Sequence, residues 1–223
     1  MVNFARFISV MHSDLIFTSD HPLWDQLAAD GYGLINDFLT REEVERSLVL
    51  IHLREEEDRF HAAGIGALGD YQKNRIIRGD YICWLDPSLP DHPLQFLFDR
   101  IRELLLGLNR YCYLGLQDFE FHLAYYPAGS YYRKHLDSFR GRHNRIITVV
   151  CYLNLNWQPG DGGELVIYPE QGEKITVEPT AGKAAVFLSE TIPHEVLEAR
   201  QPRFSITGWL TKTPLGTGFL LQD

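Results

Sequence analysis

The chain is poor in cysteine, lacks any long apolar run and carries no excess of basic residues. Each shortage removes a class of protein. Its three cysteines, Cys83, Cys112 and Cys151, are an odd number and lie far apart in 223 residues. They do not suggest a disulfide framework and are expected to be reduced, buried thiols of a cytoplasmic protein. No Cys-x-x-Cys pair occurs, which excludes a zinc finger. No apolar stretch approaches the roughly 18–20 residues that span a bilayer, so no membrane partner is expected. Met1 to Val10 has only a short apolar stretch after Arg6 and lacks the features of a signal peptide. Lys plus Arg number 21 against 30 Asp plus Glu, a net charge of −9. That balance disfavours phosphate-backbone binding, and no nucleic-acid partner is expected. Repeats and low-complexity segments are also missing.

What is present is globular in character. Hydrophobic residues make up 45% and charged residues 23% of the chain. The length permits a core that needs no disulfide or metal in order to fold. One domain over residues 1–223 is expected.

The hydrophobic period changes along the chain. Before about residue 116 it is mostly helical. Asp20 is a candidate cap for a helix from His21 to Asp30, with Leu23, Trp24, Leu27 and Ala28 on one face. Gly31 to Ile35 follows as a strand. Thr40 with Glu43 forms a capping box, which opens a helix striped by Val44, Leu48 and Ile51. The acid run Glu55 to Asp58 reads as a solvated helix face. A third helix is expected from His92 to Leu108. Between the second and third lies a glycine-rich connection of about 62–80, too long for a plain loop in a compact domain. Tyr81 to Leu85 follows as a strand. From 117 to 211 short strands alternate with Gly, Pro and Asp breaks, as in a jelly roll or barrel. The fold expected is mainly β with N-terminal α: a jelly-roll core with about three helices on one outer face. Residues 212–223 form a tail.

His135-Leu136-Asp137 lies on one of these strands. Positions i and i+2 share a face, so the imidazole and carboxylate project together. His194 starts a later strand. Two histidines and one carboxylate are the donor set of non-haem Fe(II) sites that leave positions open. Taken alone the pattern is weak among nine histidines. His122 and His143 are read as structural. Arg203, Ser205, Thr207 and Trp209 share one face of the last strand. An inward arginine with a hydroxyl two residues on suits a carboxylate. Arg203 follows His194 by nine positions, so one hairpin is expected to deliver both.

The ordered set Tyr126-Pro127, His135-x-Asp137, Arg145, Tyr152-Leu153-Asn154, Gly162-Gly163-Glu164-Leu165, Pro193-His194-Glu195-Val196 and Arg203 to Trp209 resembles a known family. It is similar to the prolyl-hydroxylase branch of the 2-oxoglutarate, Fe(II)-dependent oxygenases. More narrowly, it resembles bacterial counterparts of the animal prolyl hydroxylases that act on hypoxia-inducible factor. Arg78-Gly79-Asp80-Tyr81-Ile82-Cys83-Trp84 also matches that branch, and the resemblance covers roughly residues 30 to 211.

The resemblance implies a double-stranded β-helix in which His135, Asp137 and His194 bind Fe(II). It implies that Arg203 and Tyr152 hold 2-oxoglutarate, with Tyr126, Thr148 and Thr207 nearby; Thr148 and Tyr152 share a strand face. Arg145, Trp209, Arg78 and Asp80 would lie on the substrate side, under a finger loop of about 64–78. The implied reaction couples decarboxylation of 2-oxoglutarate by O2 to hydroxylation of a prolyl C–H bond, with ascorbate as reductant. A protein substrate, in bacterial relatives a translation elongation factor, and oxygen sensing follow as expectations. So does a monomer, because each apolar stripe is accounted for by packing. Other readings are the same chemistry on a free amino acid or other small molecule, a non-catalytic cupin-like sensor, or a zinc isomerase.

Overall fold

The computed structural model describes residues 16–64, 77–138 and 144–212. Most of the expected finger loop, His143 and nearly all of the expected tail lie outside the described residues. Among the described residues three helices and eleven strands occur in chain order: α1 Leu23–Asp30, β1 Tyr32–Ile35, α2 Arg41–Glu56, β2 His61–Ala62, β3 Tyr81–Trp84, α3 Gln95–Cys112, β4 Asp118–Tyr126, β5 Tyr132–His135, β6 Arg145–Tyr152, β7 Leu165–Ile167, β8 Ile175–Val177, β9 Ala184–Leu188, β10 His194–Val196 and β11 Arg203–Thr211. The architecture is the mainly β one expected, with all three helices ahead of the β4–β11 run.

Local chemistry sets the helix ends. Thr40 accepts the Glu43 N–H while Glu43 accepts the Thr40 N–H, so the capping box forms. The same Glu43 carboxylate takes both terminal nitrogens of Arg100, at 2.7 and 2.9 Å, which bolts α2 to α3. Asp20 does not cap α1. Its carboxylate accepts the Thr18 hydroxyl at 2.6 Å, and the ring of His21 instead accepts the Leu23 N–H. α3 starts later than expected because the His92 ring, ahead of Pro93, accepts the Leu94 N–H. Cys83 and Cys151 are buried thiols, but Cys112 is half-exposed at the end of α3.

The named strands all pair antiparallel, in two sheets. The large sheet runs β1-β9-β6-β11-β4-β3-β2 and the small one β5-β10-β7-β8. Alternation along the central strands separates two cores. Val149 and Cys151 of β6 join Phe121, Leu123, Ile206 and the apolar faces of α1, α2 and α3 on one side of the large sheet. Val150 and Tyr152 join Ala124, Tyr126 and Phe187, and meet Leu165, Ile167 and Val196 of the small sheet on the other. The large sheet is therefore buried on both faces. That is why β4 reads as nearly continuous burial rather than an alternating pattern. At roughly 25 cal/mol per Å2 of apolar surface removed from water, these two layers are the main source of stability.

β10 and β11 do not form the expected hairpin. β10 pairs with β5 and β7, whereas β11 pairs with β4 and β6. The connection crosses from one sheet to the other, so His194 and Arg203 approach the same interior from opposite walls.

Candidate active site

The site begins with a register pair. His194 of β10 lies opposite His135 of β5, with ring centroids 4.2 Å apart. β5 ends at His135, and Asp137 follows in a bend rather than on the strand. The bend still delivers the carboxylate: His135 Nε2 lies 3.4 Å from Asp137 Oδ1 and His194 Nε2 lies 3.5 Å from Oδ2. One potential ligand atom from each residue lies within 4.8 Å of the others.

The outer nitrogens fix the rings. His135 Nδ1 donates to the Arg133 carbonyl at 2.7 Å, and His194 Nδ1 to the Ile192 carbonyl at 3.2 Å. With the proton on Nδ1, each Nε2 lone pair faces the cluster. Burial pushes His194 down to about 4, and Asp137 only partly counters it, so the ring is neutral at physiological pH. For Asp137, burial works against the charge. His194, His135 and the Thr148 hydroxyl outweigh it and hold the carboxyl well below the usual carboxylate range. An ionised carboxylate and two oriented imidazoles on one side of a common point fit a divalent first-row cation with open positions opposite.

Arg203 supplies the second element. Nε donates to the Gly163 carbonyl at 2.9 Å and Nη1 to the Ser205 hydroxyl at 3.1 Å. The side chain is buried at 3% exposure, yet no ion pair to a carboxylate is found for it among the described residues. Its guanidinium carbon lies 4.8 Å from the Tyr126 ring and 5.5 Å from the Tyr152 ring. The Tyr152 hydroxyl is buried, with no partner among the described residues. Burial pushes the phenols of Tyr126 and Tyr152 up, so both are neutral donors. A buried cation without a counter-ion beside an orphan hydroxyl is a carboxylate site. Gly163 makes it fit: with φ +75°, it holds a position where a Cβ would stand 2.8 Å from Arg203 Cδ.

The structure brings most of the expected residues to one cavity of about 120 Å3. His135, Asp137, His194, Arg203, Tyr126, Thr148, Thr207, Arg145, Trp209 and Arg78 all line it. Tyr152, fully buried beside Arg203, is not part of the lining surface itself. Asp80 is likewise held back: its side chain is fully buried, and it binds Arg78 Nε and Nη2 at 2.7 and 2.6 Å. Thr148 is on the metal-side wall, where its hydroxyl donates to Asp137 at 2.8 Å.

Three lining or supporting residues were not among those expected at the site. Tyr132 stacks on His135 with centroids 3.5 Å apart, and Arg78 lies 4.2 Å over the Tyr132 ring. A bulge puts it there: Tyr132 pairs with Val196 while His135 pairs with His194, so β5 carries an extra residue. Burial, against the opposing charge of Arg78 and with Asp137 and Asp80 adding to it, pushes the Tyr132 phenol up to about 12. His122 lies between Trp84 and Trp209, at centroid distances of 5.0 and 5.4 Å. Burial pushes its ring down to about 3. Glu120 binds Arg145 at 2.7 and 2.6 Å, and Arg145 lies 3.5 Å over Trp209. Strand parity was the signal for both, since Glu120, His122 and Tyr126 share one face of β4.

Residues 121–211 match the family model of the 2OG-Fe(II) oxygenase superfamily. A crystal structure of a Pseudomonas putida prolyl-4-hydroxylase is 38% identical, with a TM-score of 0.77 over 86% of this chain and 98% of that one. A Trichoplax adhaerens prolyl hydroxylase, solved with a peptide fragment of a hypoxia-inducible factor oxygen degradation domain, is 27% identical with a TM-score of 0.77, covering 85% of this chain and 87% of that one. A Caenorhabditis elegans hypoxia-inducible factor prolyl hydroxylase is 32% identical over 152 residues, which is 60% of this chain. The chain spans only 20% of that curated relative's length. The match to the Pseudomonas enzyme over nearly its whole length places the chain in the 2-oxoglutarate/Fe(II)-dependent oxygenases, in their prolyl 4-hydroxylase branch.

Proposed function

We propose that this chain is a dioxygenase that uses Fe(II) and 2-oxoglutarate to hydroxylate the 4-position of a prolyl residue in a protein. The observation that carries the reading is the pairing of a three-donor cluster with a buried arginine that has no carboxylate partner among the described residues. His135, Asp137 and His194 hold the metal. Arg203 grips the distal carboxylate of 2-oxoglutarate through its fork, with Ser205 orienting Nη1 and the Tyr152 hydroxyl, which has no partner among the described residues, donating a further hydrogen bond. Tyr126 and Thr207 line the space between the two.

Iron and 2-oxoglutarate, when held by these residues, would supply the oxidising chemistry, in which O2 and the keto acid give succinate and CO2 and one oxygen atom enters a C–H bond. The protein positions that bond and excludes water. Arg145 over Trp209, the half-exposed Trp84 and Arg78 over Tyr132 form the mouth where a peptide would lie. Both mouth arginines are already paired with Glu120 and Asp80, so they are positioned before substrate arrives. The relatives support a protein substrate, since one of them was solved in complex with a peptide fragment. A translation elongation factor is the first candidate, on resemblance alone, and ascorbate the expected reductant. The two cores share strands of one sheet, which supports a single oxygenase domain over 1–223. The reading also takes the chain as a monomer in the cytoplasm; no described helix is long and apolar enough to cross a membrane. An oxygen-sensing role belongs to it as well, and depends on the rate following cellular O2.

The test is incubation of the Fe(II)-loaded protein with 2-oxoglutarate, O2 and a set of proline-bearing proteins that includes the elongation factor. A gain of one oxygen on a prolyl residue, coupled to succinate, supports the reading. Turnover on free amino acids with none on proteins would reassign the substrate class.

A further inference from the structure

We propose that Ser189 and Thr148 form a positioning relay that fixes Asp137 as a one-oxygen ligand. The proposal rests on the reading of His135, Asp137 and His194 as a metal site. His135 and His194 are held by strand register, whereas Asp137 sits in a bend beyond β5. Its carboxylate therefore takes no position from the sheet. Thr148 supplies one, donating its hydroxyl proton to Asp137 Oδ2 at 2.8 Å. A threonine hydroxyl has a single proton. The 2.9 Å contact between Thr148 Oγ1 and Ser189 Oγ must then have Ser189 as the donor. Both side chains are fully buried, so water does not compete for either hydroxyl.

The backbone of Ser189 is pinned on both sides of this chain of hydroxyls. Its N–H donates to the Ile146 carbonyl at 3.0 Å, and its carbonyl accepts the Ser138 N–H at 3.2 Å. Ser189 thus ties β6, two residues before Thr148, to the residue after Asp137. The turn after β9 locks the large sheet to the ligand loop of the small one. With Oδ2 engaged by Thr148, Oδ1 is the oxygen left for the cation. One-oxygen binding keeps the opposite positions open for the co-substrate and O2. Without the relay the carboxylate is free to rotate and grip with both oxygens.

The test is Co2+ binding to the metal-free protein, followed by calorimetry and by the visible spectrum of the bound cobalt. Thr148→Val is expected to weaken binding by about 10- to 100-fold, the range for losing a partner of a metal ligand, and to change the spectrum. Ser189→Ala is expected to weaken it less. The double variant should match Thr148→Val alone, since Ser189 acts through Thr148. Thr148→Ser, which keeps the hydroxyl, should restore binding and spectrum. Wild-type affinity and spectrum in folded Thr148→Val would overturn the relay and leave the metal site standing. If Thr148→Val does not fold, Ser189→Ala decides: a wild-type result overturns the relay. Wild-type protein that binds no Co2+ would overturn the metal site and the relay with it.

Discussion

Arg203 Nη1 donates to Ser205 Oγ at 3.1 Å, two residues along the same face of β11. The serine orients the guanidinium while leaving its outer edge for a ligand, and the Gly163 carbonyl holds Nε. Lysine has no fork and cannot reproduce this geometry. Arg203→Lys is therefore expected to weaken 2-oxoglutarate binding by about tenfold to a hundredfold, the loss of one charged hydrogen bond of about 1.5–3 kcal/mol. Metal affinity should not change. Calorimetric titration of metal and of co-substrate, each separately, checks both halves.

The mouth makes a different prediction. Glu120 is only 8% exposed and holds Arg145 against Trp209. Glu120→Gln removes the charge that orients Arg145 but leaves the Arg203 side untouched. The KM for a protein substrate should rise by about tenfold, one charged hydrogen bond's worth, while the KM for 2-oxoglutarate stays level. Equal rises in both would place Glu120 in a general packing role.

His122 predicts a pH effect on stability. Burial holds it at about 3 when folded, against about 6.5 in the unfolded chain. The unfolded state therefore binds the extra proton between those values. Stability is complete above about pH 6.5 and falls as pH drops toward 3, by at most about 1.4 kcal/mol per pH unit for this group. His194, held at about 4, adds in the same direction in the metal-free protein. His122→Leu should flatten the slope of denaturation midpoint between pH 6.5 and 4 without abolishing it. A slope unchanged from wild type would contradict the neutral buried ring.

Much of the site was legible because its pattern is local. Thr40 and Glu43 are three residues apart and cap as their types dictate. Arg203, Ser205, Thr207 and Trp209 obey strand parity. The donor types at 135, 137 and 194 suit one cation. The remainder depends on pairing across strands, which no local pattern carries. Trp84 and Thr207 reach His122 from either side only through the β3–β4 and β4–β11 registers. Glu120 meets Trp209 in the same way. Tyr132 joins His135 because of a bulge, and a period-two reading puts it on the wrong face. The expected hairpin between His194 and Arg203 failed because nine residues suffice to cross between sheets as well as to turn within one. Ser189 gave no sign, since a serine in a turn is ordinary until its partner is known.

The most direct test is anaerobic titration of 2-oxoglutarate into the Fe(II)-loaded protein, following the visible charge-transfer band of a keto acid on iron. The account predicts a saturable band in wild type, no band in Asp137→Ala, and a band in Arg203→Ala that needs far more 2-oxoglutarate. A folded, iron-loaded wild-type protein that shows no band would contradict it.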